Sequence, residues 1–225
     1  MNDKKLFKRI TATLLVTLSL FILPSDSSLV LARNTYTYNP PKKRNKGVKA
    51  RSLSSGSRGC NNPSLFNAKA RLFAPEDHVG LTTSSHPSFF WYIMTDSEVE
   101  VRFTLVDPGV AKPIIDLQQT VRTSGLRKLQ LPLELPELEV GKLYRWTVAL
   151  ICNPKRPSQN AFAYSWVERV PKSSSLIQDL KLPNAEPAAV YAQQGIWYDA
   201  LTEAYKNNSV SPQFSSLLTQ IIEVN

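Results

Sequence analysis

The sequence predicts a mainly β protein with an α-helical C-terminal tail. Between residues 60 and about 170, apolar and polar side chains alternate with a period of two, the pattern of half-buried strands. Turn residues separate about eight such runs, as in an antiparallel β-sandwich. After Pro171 the apolar period changes to about 3.6, which is typical of helices. We therefore predict a β-sandwich domain at 59–171 and a helical tail at 172–225.

The clearest predicted strand is 98–105, where valine, phenylalanine and leucine alternate with glutamate, arginine and threonine. The run 143–152 alternates in the same way and points Cys152 toward the core beside Trp146. The run 88–94 is apolar on both faces, which predicts a central strand covered on both sides. The remaining strands are predicted at 68–73, 80–84, 114–121, 126–131 and 162–166.

A short connection before the strand at 143 has the sequence Leu138-Glu-Val-Gly141-Lys-Leu-Tyr144. A leucine, a glycine turn and a tyrosine that enters a strand resemble the tyrosine corner of immunoglobulin-like and fibronectin type III domains, in which the phenol hydrogen-bonds to upstream backbone. Residue 146 is tryptophan where immunoglobulin domains place a cysteine. The segment predicts an immunoglobulin-like or fibronectin III-like sandwich with a structural corner at Leu138, Gly141 and Tyr144.

The tail contains three predicted helices, at 173–182, at 188–206 and from Ser211-Pro212 onward. Part of it resembles one helical hairpin of the tetratricopeptide type. The matching positions are Tyr191, Gly195, Trp197, Ala200 and Pro212, whereas Asn184 and Ala204 depart from the repeat's aromatic positions. One such unit cannot bury its own apolar face, so it must dock on the sandwich, on a second copy or on a partner's repeats. We expect the sandwich to fold without it.

The N-terminal segment 1–32 has the layout of a secretory signal peptide. Four basic side chains precede an unbroken run of apolar and hydroxyl residues at 10–23, and Val30-Leu-Ala32 is a small-residue cleavage pattern. The run spans about 21 Å as a helix, less than the roughly 30 Å of a bilayer core. The sequence therefore predicts export to the periplasm, the outer envelope or the extracellular space, with an uncleaved anchor as the alternative.

The net charge of +9 is concentrated in one segment. Residues 33–58 contain eight basic and no acidic side chains, whereas the chain from Gly59 has 15 basic and 16 acidic ones. A nearly neutral body argues against a nucleic-acid-binding fold. We predict that 33–58 is a basic, disordered linker, which either contacts an anionic membrane surface or serves as a solvated spacer. Its candidate contact residues are Lys42, Lys43, Arg44, Lys46 and Lys49.

The chain has two cysteines, Cys60 and Cys152. In an oxidising compartment an even number of cysteines favours pairing, and two unrelated thiols are the alternative. A bond between them would close a loop of about 92 residues and stabilise the fold by roughly 4–5 kcal/mol in the chain-entropy model.

Five blocks of sequence follow one another in an order that characterises a known family. They are Arg58-Gly-Cys60, Gly80-Leu-Thr-Thr-Ser-Ser-His86-Pro87, Leu138-Glu-Val-Gly-Lys-Leu-Tyr-Arg-Trp146, Trp166-Val-Glu-Arg-Val-Pro171 and Tyr191-Ala-Gln-Gln-Gly-Ile-Trp-Tyr-Asp-Ala-Leu201. The chain resembles a cyanobacterial secreted family, domain of unknown function 928, over about residues 58–205. The resemblance implies an envelope location and a sandwich with a helical tail, and it implies no catalytic residues.

Candidate chemistry in the sequence is sparse. His78 and His86 fit no zinc-site spacing with the neighbouring Glu76 and Asp77. Ser84-Ser85-His86 could suggest nucleophilic catalysis, but neighbours on an extended strand point to opposite faces. The carboxylates at 134, 137 and 139 lie in a loop-like run, which favours a solvated connection over a glycosidase pair. We predict no enzyme, metal or cofactor.

The aromatic residues are more numerous than one thin core requires. Five of them are candidate contacts to a partner or a glycan: Trp91, Tyr92, Trp166, Trp197 and Tyr191. Alternatively, one aromatic face fills the core and the other receives the helical tail. The leading hypothesis is a non-enzymatic, exported protein-interaction or accessory module whose tail binds an envelope protein, possibly one with helical repeats. A polysaccharide-binding module is the first alternative and a hydrolase the second.

Overall fold

The computed structural model describes residues 36–41, 60, 65–205 and 209–222. Within them the chain is mainly β, with two sheets and four short α-helices. The strands are β1 (Lys69–Leu72), β2 (Gly80–Thr82), β3 (Ser88–Met94), β4 (Val99–Val106), β5 (Ile115–Val121), β6 (Gly125–Gln130), β7 (Leu143–Ile151) and β8 (Ala161–Arg169). The helices are α1 (Ser174–Asp179), α2 (Pro187–Gln193), α3 (Trp197–Ala204) and α4 (Pro212–Ile222). The predicted signal peptide and the candidate contact residues of the basic linker, Lys42, Lys43, Arg44, Lys46 and Lys49, lie outside the described residues.

The strands form a three-stranded sheet, β1-β3-β6, and a five-stranded sheet, β2-β8-β7-β4-β5. Five of the six strand pairs in the described residues are antiparallel, as predicted. The pairing of β2 with β8 is parallel, so the prediction of a wholly antiparallel sandwich is wrong at this edge. Parallel pairing needs a long crossover, and the chain between β2 and β8 contains five other strands, so it is long enough to provide one.

The two sheets face each other through aromatic side chains. On β3, Phe89 lies 5.1 Å from Trp146 of β7, and Trp91 lies 5.4 Å from Phe103 of β4, measured between ring centroids. On the opposite face of β3, the ring of Phe90 packs against α4. Farther along this face, Tyr92 and Met94 are exposed. The prediction that β3 is covered on both sides therefore holds only for its first half.

The predicted corner has the expected contacts. The backbone N–H of Glu139 donates to the hydroxyl of Tyr144 at 2.8 Å, and Leu138 is fully buried. Gly141 has a φ of 79°, which favours glycine, and its N–H donates to the carbonyl of Arg169 at 2.7 Å. The first bond ties the connection between β6 and β7 to β7, and the second ties it to the end of β8.

The single helix predicted at 188–206 is divided into α2 and α3. Gly195 lies between them with a φ of 74°, a left-handed conformation that ends a helix. A Cβ atom at this position would lie 2.8 Å from the carbonyl oxygen of Asn39, so a larger residue would displace the neighbouring chain. Glycine is therefore required here both for the break and for the close approach of residue 39.

Helix α3 inserts its first turn into the core of the sandwich. The ring of Tyr198 packs against Phe89, and its hydroxyl accepts from Trp146 Nε1 at 2.7 Å and donates to the carbonyl of Trp166 at 3.1 Å. Trp197 is also fully buried, and its Nε1 donates to the carbonyl of Phe73 at 3.0 Å. One hydrophobic core thus spans the predicted sandwich and the predicted tail.

Residues 36–41, which we call the N-terminal strap, cross the helices. Asn39 N–H donates to the carbonyl of Ala192 at 3.0 Å, and Tyr38 N–H donates to the side-chain oxygen of Gln220 at 2.8 Å. The ring of Tyr38 is buried 4.8 Å from that of Trp197. The expectation of disorder is wrong for the strap, because Tyr38 buries an aromatic ring that offsets the entropy cost of ordering.

The two cysteines form the predicted disulfide. Cys60 and Cys152 are bonded with a Cα–Cα distance of 5.1 Å, and Cys60 is fully buried. The bond joins the segment before β1 to the end of β7 and closes a loop with a sequence separation of 92 residues.

Removal of this disulfide is expected to lower the free energy of unfolding substantially. In the chain-entropy model, a loop of this length corresponds to about 4–5 kcal/mol. The measurement is urea unfolding of the Cys60→Ala, Cys152→Ala double variant, with the reduced wild-type protein as the matched comparison. A loss below about 1 kcal/mol in both samples would show that the bond does not constrain the unfolded chain.

A chain that ends at Pro171 is expected to lose cooperative unfolding. It would lack Trp197, Tyr198 and Phe214, and truncation of one such buried aromatic side chain typically costs about 3–5 kcal/mol. The total is comparable with a whole domain stability of about 5–15 kcal/mol. Near-UV circular dichroism during urea unfolding is the measurement, and a chain lacking only the segment 1–32 is the control. A sharp transition in the truncated chain would contradict the shared core.

Candidate functional site

A polar cleft of about 400 Å³ opens between the β2–β3 connection, the end of β8 and helix α3. Its lining consists mostly of hydroxyl, carboxyl, amide, imidazole and cationic side chains. The lining residues are 82–88, Gln130, Arg169, Lys172, Tyr191, Asp199, Thr202 and Glu203. We refer to it below as the polar cleft.

The connection that forms one wall of the polar cleft is shaped by its own hydroxyl groups. The Oγ1 of Thr82 accepts from the N–H of Ser84, and the Oγ of Ser84 accepts from the N–H of His86, both at 3.1 Å. Such local bonds replace the ladder bonds of a strand and bend the chain. The wall is also held from outside, because Ser85 O accepts from Leu138 N–H at 3.0 Å.

Asp199 fastens helix α3 to this wall. Its carboxylate accepts from the hydroxyls of Thr82 and Thr83, each at 2.6 Å, and from the Thr83 N–H at 3.1 Å. Burial raises the pKa of Asp199 above its ordinary value, while the bonds from Thr82 and Thr83 and the charge of Lys172 act in the opposite direction. A buried carboxylate with three donors is therefore part of the floor of the polar cleft.

Ser85 and His86 meet side by side in the same wall. His86 Nε2 lies 3.1 Å from the carbonyl of Leu135, which can only accept, so this nitrogen carries the proton. In the neutral ring His86 Nδ1 is then an acceptor, and the Ser85 hydroxyl donates to it at 3.0 Å. The argument that these neighbours point to opposite faces is wrong here, because it assumed an extended strand and the chain bends at both residues.

Two cationic side chains, Arg169 and Lys172, line the far side of the polar cleft. Arg169 donates to the carbonyl of Leu138 and lies 3.3 Å from a carboxylate oxygen of Glu137. Lys172 is exposed, and its charge acts on Asp199. Glu139 binds a different cation, Lys142, at 3.0 Å. Glu137 and Glu139 therefore serve separate ion pairs, in agreement with a solvated connection.

The five aromatic residues predicted as contacts do not form one surface. Trp91 and Trp197 are 2% and 0% exposed and fill the core, so neither can contact a partner or a glycan. Tyr191 is mostly buried but lines the polar cleft. Trp166 is half-buried on the outer face of the five-stranded sheet, and Tyr92 is exposed on the three-stranded one. Strand alternation places Trp91 and Tyr92 on opposite faces of β3, and Tyr191 and Trp197 lie on helices.

His78 has a local structural role. Its Nδ1 lies 2.6 Å from a carboxylate oxygen of Asp77, and its Nε2 is hydrogen-bonded to the hydroxyl of Tyr38 at 2.7 Å, which anchors the N-terminal strap. Within the described parts of the chain, no cluster of three or more His, Cys, Asp or Glu side chains could hold a metal ion. None of the described helices has the length and apolar character needed to span a bilayer.

The sequence profile of the family Domain of Unknown Function (DUF928) matches residues 53–223. The chain belongs to this family. The match includes all eight described strands, the four described helices and every residue of the polar cleft. A search of curated proteins found no match to the chain. The polar cleft thus lies within the DUF928 region, and only the segments 1–52 and 224–225 lie outside that region.

Sequence reasoning missed most of the polar cleft. Asp199, Thr202 and Lys172 were not singled out, because their spacing matches no catalytic or ligand-binding motif. One usable signal was present: four consecutive hydroxyl residues at 82–85 precede His86-Pro87. Such a run favours side-chain hydrogen bonds that compete with strand pairing and bend the chain.

The variant Asp199→Asn is expected to change how stability depends on pH. The pKa of Asp199 is raised on folding, so the folded state binds a proton at this carboxyl more tightly than the unfolded state does. The contribution of Asp199 to the free energy of unfolding therefore falls as pH rises from the ordinary carboxyl pKa through the pKa in the folded state. The free energy of unfolding of the variant minus that of the wild type should therefore be larger at pH 7 than at pH 4. Urea unfolding at the two pH values measures this difference.

Asp116→Asn is the matched control for this measurement. The bonds from Arg102 lower the pKa of Asp116, so its contribution to stability is present above the ordinary carboxyl pKa and is lost as pH falls. The two variants should show opposite trends with pH. The same trend in both would contradict the role of burial at Asp199.

Proposed function

We propose that this protein is an exported accessory module that binds a saccharide or a similar polyhydroxylated ligand in the polar cleft. The observation that carries the proposal is the lining of the polar cleft, in which side-chain donors and acceptors surround a volume of about 400 Å³. Ligand sites commonly have volumes of about 300–1,000 Å³. A volume of this size accommodates one or two sugar rings.

The balance of charge in the polar cleft favours a neutral ligand. Arg169 and Lys172 supply two positive charges, and Asp199 and Glu203 supply two carboxyl groups. Lipid and nucleic-acid sites instead concentrate one sign of charge or a large apolar surface. Hydroxyl groups of a sugar can exchange hydrogen bonds with Ser, Thr, Gln and carboxylate side chains, which act as donors, acceptors or both.

Export is supported by two independent features. The segment 1–32 has the pattern of a secretory signal peptide, and the chain contains a disulfide, which persists in oxidising compartments. The tyrosine corner supports kinship with immunoglobulin-like or fibronectin III-like sandwiches, and α2 and α3 retain part of a tetratricopeptide-like pattern. In this proposal the basic linker is a spacer or a contact to an anionic membrane surface.

A protein partner is the second candidate. The apolar side of the helical tail packs on the sandwich of the same chain, so binding through that side is disfavoured. The outer face of the five-stranded sheet is the better candidate surface for a protein partner. Phe162 is exposed there, and its ring lies 6.5 Å from that of Tyr164. The guanidinium of Arg145 lies 5.9 Å from the centroid of the Tyr164 ring. Aromatic and arginine side chains are enriched in protein interfaces.

Saccharide binding can be tested with the chain from Arg33 onward and a panel of neutral envelope oligosaccharides, by calorimetry. Lys172→Ala is expected to weaken binding by about ten- to a hundredfold, because it removes a charged hydrogen-bond donor worth roughly 1.5–3 kcal/mol. Lys181→Ala is the matched control, since this exposed lysine lies outside the polar cleft. Absence of binding across the panel, or equal loss in both variants, would refute the proposal.

A further inference from the structure

We propose that Ser85 and His86 form a nucleophile and general-base pair that cleaves acyl esters in the polar cleft. The expected substrate class is an O-acylated saccharide, and this part of the proposal rests on the proposed function. The reaction adds a chemical step that saccharide binding alone does not require.

The pair has the geometry that serine activation needs. The Ser85 hydroxyl donates to His86 Nδ1 at 3.0 Å, within the distance of about 2.6–3.2 Å expected of a nucleophile and its base. The opposite ring nitrogen, Nε2, donates to the carbonyl of Leu135 at 3.1 Å. That bond selects the tautomer and orients the ring, which is the task of the third member of a catalytic triad.

The burial of the two side chains suits their roles. His86 is 8% exposed, whereas Ser85 is half-buried, and both line the polar cleft. The base is thus shielded from bulk water, while the hydroxyl can reach a ligand. The wall is rigid on both sides of the pair, because Ser84 Oγ accepts from the His86 N–H and Pro87 O accepts from the Leu131 N–H at 2.9 Å. Such rigidity holds reacting groups in place before the substrate arrives.

The polar cleft also supplies positive charge. Lys172 and Arg169 line it together with Ser85. Negative charge that develops on the ester carbonyl oxygen would be stabilised by these cations.

The proposed step is an acyl transfer in two halves. The Ser85 Oγ attacks the ester carbonyl carbon and passes its proton to His86 Nδ1. The tetrahedral intermediate expels the sugar oxygen, which takes that proton and leaves as an alcohol, so the acyl group is bonded to Ser85. Water then attacks the acyl carbon, His86 Nδ1 accepts its proton, and Ser85 departs with that proton. The overall reaction converts an ester and water into an acid and an alcohol.

A fluorophosphonate probe, which phosphonylates activated serines, tests the pair in the chain from Arg33 onward. We expect covalent modification at Ser85 by peptide mass spectrometry, and its loss in Ser85→Ala. His86→Gln should slow labelling by about 100-fold or more, as expected for loss of a general base. Ser175→Ala is the control, because this exposed serine lies on α1, outside the polar cleft. Thermal unfolding of each variant verifies the fold.

Two results would overturn the pair: no label on Ser85 of the wild-type protein, or equal labelling rates in the wild type and a folded His86→Gln variant. Calorimetry with the oligosaccharide panel separates this inference from the proposed function. Saccharide binding without labelling refutes only the reaction. Labelling without saccharide binding supports the pair and refutes the saccharide as its substrate.

Discussion

The architecture depends on the insertion of the first turn of helix α3 between the sheets and the strap. Three consecutive residues make different contacts there. Trp197 packs beside the N-terminal strap, Tyr198 enters the aromatic core, and Asp199 bonds to the β2–β3 connection. Successive helical residues are separated by about 100° around the helix axis. The three side chains therefore make contacts on different sides of the helix. An element buried in this way cannot be an appendage, which explains why one core serves sheets and helices together.

Tyr198 illustrates how polar atoms are accommodated in this core. Burial raises the pKa of its phenol, so the hydroxyl remains neutral and can both donate and accept. It accepts from Trp146 Nε1 and donates to the carbonyl of Trp166. Gly80 makes room for the ring, because a Cβ atom at that position would lie 2.6 Å from it. Buried polar groups that are fully bonded in this way select one packing arrangement over its alternatives.

The polar cleft is a consequence of the same docking. Asp199 brings α3 against the hydroxyl-rich connection, and the end of β8 adds Arg169 and the nearby Lys172. The helix, the connection and the strand end are far apart in sequence, yet they line one cavity. A rigid scaffold that positions loop residues is the usual basis of binding and catalysis, and here each of these three elements contributes one side.

Local patterns in the sequence were sufficient for the strands. At most of their ends, the eight described strands begin or finish within one or two residues of the predicted runs. The agreement is close because alternation depends only on which face of a strand is buried. β8 extends beyond its prediction, to Arg169, since its later residues pair with β2 across the sheet. The helix break at Gly195 was missed because a glycine can also occur within a helix, and the deciding contact is made by Asn39.

The sequence by itself determined the alternating strands, the corner at Tyr144, the two cysteines available for pairing and the family. The tertiary structure alone decided the parallel pairing of β2 with β8, the burial of Trp91 and Trp197, and the contact of His86 with the carbonyl of Leu135. The physical reason is range. Periodicity and turn chemistry act between near neighbours, whereas parallel strand pairing, core burial and the shape of the polar cleft depend on groups far apart in the chain, such as Thr82 and Asp199.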